Sequence, residues 1–405
     1  MNNLYRKFCL ICNSPRISDI INLGMHPFAD KFIKKAEKYM SEMVFPLIIQ
    51  LCKSCGNIQQ KVITIPEQRY IHNEYSYTSS NSIYSKKYWK NYAKEIIKKE
   101  QKRKILEIGS NDGYLLCEIK KMDNFVVGVD PSPTMIKLSK RKGIVSLEGL
   151  FSEKFAIKIK KKYKKFDIII ANNVLNHSND PNNFFKGLKK VLNKDGSFIT
   201  ENPYWLDTIA LGYFDQIYHE HVSYFTIKSL KKICELNKLY IYDIIKTNYH
   251  GSSIRLVIGL NKYKENKKLL NKYIKLEEKQ KIFDFLFYKK LTKKINIQKI
   301  NFLKKVIDLK KKSKRIICIG AAAKANTFLN FYGLNGHLID FITDQSKRKI
   351  GKITPLSRIP IRSDKSLKKL IKPYVIFTAW NISNLLQKKI LKINPECRII
   401  KHFKK

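Results

Sequence analysis

The densest run of chemistry-bearing side chains is Tyr218-His219-Glu220-His221-Val222-Ser223-Tyr224. It follows Glu201-Asn202-Pro203-Tyr204, at the end of an expected strand. Histidine exchanges protons near neutral pH, and an adjacent tyrosine or glutamate can orient an imidazole or donate to a developing oxyanion. Three uses fit the run: proton transfer, a metal site on His219 and His221, or a buried polar cluster tying a loop to a sheet. Two ligands with no cysteine beside them make the metal use the poorest fit. Two of the eight histidines within three residues favour the first use over the third.

Four of the eight cysteines form two pairs, Cys9-x-x-Cys12 and Cys52-x-x-Cys55. Four thiolates suit tetrahedral zinc, and a set made only of cysteine leaves no open coordination position, so the expected ion is structural. Asn13 and Gly56 follow the two pairs and suit tight knuckles. Cys117, Cys234, Cys318 and Cys397 stand alone among apolar neighbours and read as small buried hydrophobes.

A third constellation is Glu107-Ile108-Gly109-Ser110-Asn111-Asp112-Gly113, which closes one expected strand and opens a helix. Its glycines let a backbone pass close to a ligand, while Glu107 and Asp112 would repel a pyrophosphate. The full G-x-G-x-x-G spacing is missing as well. A cationic adenosyl ligand fits better, which points to S-adenosylmethionine. Asp130, at the end of the next strand, can take both ribose hydroxyls, with Pro131 beside it. Leu150 and Phe151 suit an adenine edge, and Asn172 and Asn173 face the same crevice after a further strand. A dinucleotide-dependent dehydrogenase is the bland alternative.

These residues need a scaffold. Lys104–Gly109, Phe125–Val129, Phe166–Ala171 and Gly196–Glu201 read as strands alternating with helices, which predicts a parallel doubly wound sheet. Residues 262–313 are lysine-rich but periodic, with Leu291, Ile295, Phe302, Val306 and Leu309 on one face, predicting one or two amphipathic helices. A second α/β unit is expected from strands at Arg315–Gly320, Leu338–Ile342 and Tyr374–Thr378. Its turn, Gly320-Ala321-Ala322-Ala323-Lys324, can offer amides and one lysine to a diphosphate, although the alanines alone also suit close helix–strand packing. Residues 69–92 are aromatic and polar, and within them Glu74–Ser80, with too much serine for a packed helix and too many aromatics for a free linker, reads as a covering loop.

The chain has 405 residues, 44% hydrophobic and 12% aromatic, enough for several cores and incompatible with disorder. Its charge is +47, from 80 Lys+Arg against 33 Asp+Glu. The lysines spread along the whole chain, so the charge favours small polyanions such as nucleotides without marking a nucleic-acid surface. The first residues carry no apolar signal-peptide core, and no apolar run approaches the roughly 18 residues of a membrane helix, so a cytoplasmic protein with no membrane partner is expected.

On these residues the chain resembles the three-domain sugar C-methyltransferases, which use S-adenosylmethionine to methylate a ketosugar on a nucleoside diphosphate. The likeness is carried by both cysteine pairs, Pro27-Phe28-Ala29-Asp30, Tyr75-Ser76-Tyr77, the Glu107–Gly113 turn, Tyr218–His221, His250–Arg255, Gly320–Thr327 and Ala379-Trp380-Asn381. Ser252, Asp130 and Asn202 depart from the family pattern, where glycine, often glutamate, and an apolar residue stand. The resemblance implies an α/β class I (Rossmann-like) methyltransferase core with a small N-terminal zinc module and a second Rossmann-like C-terminal domain. Boundaries of 1–68, 69–245 and 246–405 are expected.

It further implies His221 as the general base, with Tyr218 and Glu220 orienting substrate and base. His177 and Tyr75 or Tyr77 would line the sugar pocket. Ser253, Arg255, Lys324, Asn326, Thr327, Trp380 and Asn381 would hold the nucleotide sugar. The expected reaction is C-methylation alpha to the ketone, at C3 of a 4-keto deoxysugar, by a monomer or weak dimer that binds no nucleic acid. Rivals are a nucleic-acid methyltransferase, which the charge favours, and a noncatalytic nucleotide-sugar-binding protein.

Overall fold

A computed structural model describes residues 4–71, 77–97 and 102–401; Tyr75 lies outside them. The chain forms two compact units, each assembled from discontinuous segments. The first comprises Met1–Ser18, Gln50–Asp207 and Val222–Phe283; the second comprises Asp19–Ile49, Thr208–His221 and Asp284–Lys405.

The first unit is built on a seven-stranded sheet. In spatial order its strands are Tyr240–Thr247, Ser253–Gly259, Leu192–Pro203, Phe166–Asn172, Lys104–Ile108, Phe125–Asp130 and Val145–Glu148. The last five are parallel, and the Tyr240–Gly259 hairpin adds antiparallel to Leu192–Pro203. This is the class I methyltransferase arrangement. The inner parallel strands Lys104–Ile108, Phe125–Asp130 and Phe166–Asn172 are rich in isoleucine and valine, as strands covered on both faces by crossover helices require. Serine and aspartate caps start those helices. Ser82, Ser132, Ser152 and Asp180 each accept a main-chain N–H from the first turn, and proline opens the helices Pro133–Arg141 and Pro181–Val191. Trp89, Tyr92, Ile105, Leu116, Ile119 and Ile170 form much of the core on one face.

The second unit carries a five-stranded parallel sheet in the order Ile361–Arg362, Phe341–Thr343, Ile316–Ile319, Tyr374–Phe377 and Arg398–Ile400. Ile317, Ile319, Phe341, Val375, Phe377 and Leu386 fill one side of it. The lysine-rich region resolves into two helices, Lys267–Lys279 in the first unit and Phe285–Lys311 in the second. On the longer helix Ile295, Phe302 and Val306 are buried as the periodicity predicts, while Leu291 and Leu309 are only half-buried.

One expected strand is displaced. Leu338–Ile342 begins as a turn because Asn335 accepts the His337 N–H on its side chain and the Leu338 and Ile339 N–H groups on its carbonyl; the strand starts at Phe341. Among the described residues no helix is long and apolar enough to cross a membrane.

Candidate active site

Parallel strands end together, so their carboxyl ends bring Glu107, Asp130 and Asn172 to one edge of the first unit's sheet. Gly109 (φ 69°) makes the turn; a Cβ there would lie 2.3 Å from Val174 Cγ2. Asn111 is also left-handed, and its N–H donates to Asp130 Oδ2 at 2.9 Å. The second Asp130 oxygen accepts the Ser132 N–H at 2.9 Å. Burial holds the Glu107 carboxyl well above its usual range, with Asp112 and Asp130 adding repulsion, and pushes Asp130 up to about 6. Glu107 Oε2, Ser110 Oγ and Asp112 Oδ1 are buried without a hydrogen-bond partner. A cluster of acids short of donors suits a cationic, hydroxyl-rich ligand, so these residues fit S-adenosylmethionine.

Segment 77–80 docks on that turn. Ser79 N–H donates to Asn111 Oδ1 (2.9 Å), Asn111 Nδ2 donates to the Tyr77 carbonyl (3.2 Å), and Ser80 Oγ donates to Asp112. Lys142 pairs with Asp112 at 2.7 Å. Tyr77 hydroxyl lies 3.2 Å from that of Tyr249. Asn172 accepts from Tyr92, Asn173 N–H donates to the Glu201 carbonyl, and Phe151 packs edge-on to Phe184, with Leu150 more exposed.

In the second unit, His221 is buried and its Nδ1 lies 3.0 Å from the Gln216 carbonyl. A carbonyl only accepts, so Nδ1 carries the proton and Nε2 the lone pair. Tyr218 hydroxyl donates to Nε2 at 2.6 Å. Burial lowers His221 to about 3, which keeps the imidazole neutral. Glu220 faces elsewhere: its carboxylate accepts the Ala29 N–H (3.3 Å) and the Asp30 N–H (2.9 Å). His219 is seated among Phe28, Phe45 and the Phe45 carbonyl, the environment of a packed histidine.

The four N-terminal sulfurs lie within 4.8 Å of one another, with Cys9–Cys55 at 3.5 Å and Cys12–Cys52 at 3.6 Å. These separations far exceed a disulfide and approach the ~3.8 Å that tetrahedral zinc with ~2.3 Å bonds imposes. Left-handed Asn13 and Gly56 close the two knuckles, their N–H groups donating to the Cys9 and Cys52 carbonyls. The cluster fits a structural zinc ion.

Three family models tile the chain: a zinc binding domain over residues 9–70, a methyltransferase domain over 82–242, and a C-methyltransferase C-terminal domain over 248–397. The C-methyltransferase NovU of Streptomyces niveus is 25% identical over 375 residues, covering 92% of this chain and 89% of that one. The chain belongs to the S-adenosylmethionine-dependent C-methyltransferases. Its cofactor is S-adenosylmethionine, and its N-terminal domain binds zinc.

A ubiquinone biosynthesis O-methyltransferase of Bartonella quintana is 30% identical over 159 residues, 36% of this chain and 64% of that relative. Among solved structures, magnesium protoporphyrin IX methyltransferase from Synechocystis PCC 6803 with bound SAH is 14% identical. It covers 43% of this chain and 82% of its own, with a TM-score of 0.35. The PH0226 protein from Pyrococcus horikoshii gives 17%, 45%, 94% and 0.37 for the same measures.

The residues expected to hold substrate in this C-methyltransferase divide between the units. In the first, Ser253 Oγ donates to the Tyr249 carbonyl. Arg255 is buried, bonding Glu201 (2.9 Å) and Glu95 (2.7 Å) and lying 4.1 Å over Tyr92. In the second, Lys324 Nζ bonds Asn381 Oδ1 and lies 3.8 Å over the Trp380 ring. Asn326 and Thr327 are buried and donate to the Ala29 and Ile217 carbonyls. Gly320 is required where it stands, since a Cβ would meet Ala379 Cβ at 2.5 Å.

Three residues escaped the sequence reading. Buried Asp215 accepts Trp380 Nε1 at 2.6 Å, and burial raises its carboxyl while lowering the Lys324 amine. Tyr213 stacks on Trp380 with centroids 3.5 Å apart. The third is Tyr70, which meets His177. A lone aspartate or tyrosine carries no motif, so no local signal in the sequence marks them.

Proposed function

We propose that this enzyme transfers a methyl group from S-adenosylmethionine to the carbon alpha to the ketone of a nucleoside-diphosphate 4-keto deoxysugar, at C3, in the cytoplasm. A sugar carbon becomes a nucleophile when a neighbouring carbonyl lets an enolate form. The chain must then supply a base for the C–H proton and donors for the oxyanion. His221 is the base. The observation that carries this reading is its tautomer: the Gln216 carbonyl holds the proton on Nδ1, so the Nε2 lone pair stands ready, with Tyr218 as its hydrogen-bond partner. S-adenosylmethionine, when bound, supplies an electrophilic methyl group. Glu107, Asp112 and Asp130 hold that cation and its ribose, with Gly109, Gly113 and Asn111 shaping the turn.

His177 and Tyr77 bind the sugar. Lys324, Asn381 and Trp380 bind the nucleotide, whose phosphate charge the lysine meets. Glu220 holds the Ala29–Asp30 main chain and so orients the segment that carries His221. Alignment of carbon and methyl in line supplies most of the acceleration, up to ~7–11 kcal/mol, and the base adds ~10²–10⁴ in rate.

The test is incubation with labelled S-adenosylmethionine and a panel of nucleoside-diphosphate 4-ketosugars, read by mass. Label on a sugar carbon is expected. Label on RNA or DNA, or failure to bind S-adenosylmethionine in calorimetry, would overturn the reading. In the same assay His221→Ala should bind S-adenosylmethionine normally and lose at least about a hundredfold in turnover.

A further inference from the structure

The last residues of the zinc-binding stretch reach a methyl-transfer residue of the first unit. Arg69 and Tyr70 lie in the single turn Glu67–Ile71. Tyr70 hydroxyl is 2.5 Å from His177 Nδ1, the two rings edge-on with centroids 5.8 Å apart. Arg69, itself buried, donates from one nitrogen to the His177 carbonyl (3.0 Å) and from another to Asn179 Oδ1 (2.8 Å). Asn179 in turn donates to the Thr64 carbonyl at 2.7 Å. The Arg69 guanidinium also stands 5.2 Å over the Tyr70 ring, fixing its plane. Val222 N–H donates to the Asn176 carbonyl at 2.7 Å, so the turn Leu175–His177 is tied on either side of the imidazole.

We propose that Tyr70 is a positioning residue of the methyl-transfer site: its hydroxyl donates to His177 Nδ1 and fixes the tautomer that carries its proton on Nε2. The proposal rests on the reading of His177 as a residue that lines the sugar pocket. Its chemical content is a contrast between two imidazole tautomers. His221 has its proton on Nδ1, held by a carbonyl, and offers a lone pair. His177 has an acceptor at Nδ1 and offers an N–H. A neutral imidazole donor suits the oxygen on which enolate charge grows, as a lone pair suits the carbon-bound proton. For His221 the partner is a main-chain carbonyl, which can only accept; for His177 it is a phenol, which sets the tautomer by donating to Nδ1.

Two measurements test this on the full-length, zinc-loaded enzyme. Nitrogen-15 NMR of the histidine rings, with His177 assigned by its loss in His177→Gln, should show a single Nε2–H tautomer that Tyr70→Phe converts to a mixture. An unchanged His177 signal in Tyr70→Phe overturns the proposal. Kinetics with labelled S-adenosylmethionine and the best-used nucleoside-diphosphate 4-ketosugar of the panel give the second measurement. Tyr70→Phe should lower kcat about ten- to a hundredfold, the cost of a misaligned group, with the KM for S-adenosylmethionine unchanged. Tyr70→Phe combined with His177→Ala should be no slower than His177→Ala alone. Additive losses would overturn the role of Tyr70. Wild-type turnover in His177→Ala would instead overturn the reading of His177 on which it rests.

Discussion

His221 illustrates how one main-chain atom decides what a side chain can do. An imidazole in water titrates near 6.5, where half of it is useless as a base. Burial pushes this one down to about 3, and the Gln216 carbonyl settles which nitrogen carries the proton. With His221 as the proposed base, the free enzyme should therefore keep it deprotonated at every pH from about 5 to 8. We expect kcat/KM to show no acid limb belonging to His221 in that range. An acid limb centred near 6.5 that persists in His177→Asn would contradict the assignment. The residue types of the motif were plain in the sequence. The tautomer was not, because its determinant is a carbonyl oxygen that every residue possesses. Asp215 and Tyr70 stayed hidden for a related reason: each acts through one contact to a partner distant in the chain, Trp380 or His177, and leaves no local pattern.

Among the elements of the second unit, the loop Phe28–Asp30 is held from two sides. Glu220 accepts its two N–H groups, and Asn326 donates to the Ala29 carbonyl. Burial and the nearby Asp30 push Glu220 up to about 7, although the two main-chain donors pull the other way. Between about 4.5 and 7 the unfolded chain therefore gives up the Glu220 proton before the folded chain does. Stability from this group is complete below about 4.5 and is lost as pH rises through about 7. Glu220→Gln should flatten that part of the stability profile, as read by urea unfolding at pH 5 and pH 7.5. An unchanged slope would remove Glu220 from the account.

Elements with strong periodicity were legible beforehand: the parallel strands, the cysteine knuckles and the glycine turn. The Tyr240–Gly259 hairpin was not, because its strands pair through a sheet edge that no local pattern announces. The onset of the Phe341 strand was misplaced because one asparagine, Asn335, prolongs a turn into apolar sequence.

For the molecule as a whole, a zinc ion held by the four cysteines would join sequence positions 9–12 to 52–55, with residues 13–51 between them. Structural zinc contributes about 10–16 kcal/mol of apparent binding free energy, comparable to the about 5–15 kcal/mol that holds a typical domain folded. Metal analysis should find about one equivalent of zinc per chain. Strong chelation should lower the Tm and abolish methyl transfer together. Retention of both after complete zinc removal would show that the cysteine cluster is dispensable.

The second unit draws two of its three segments, Asp19–Ile49 and Thr208–His221, from stretches whose flanks on either side belong to the first. Anyone recombining this enzyme with a cousin by exchanging everything after residue 283 would therefore transplant an incomplete piece. The recipient would keep its own Ala29 loop and its own His221 against a foreign helix Ala323–Tyr332. Productive hybrids should require three coordinated exchanges, and a library built on a single crossover should yield chains that fail to mature.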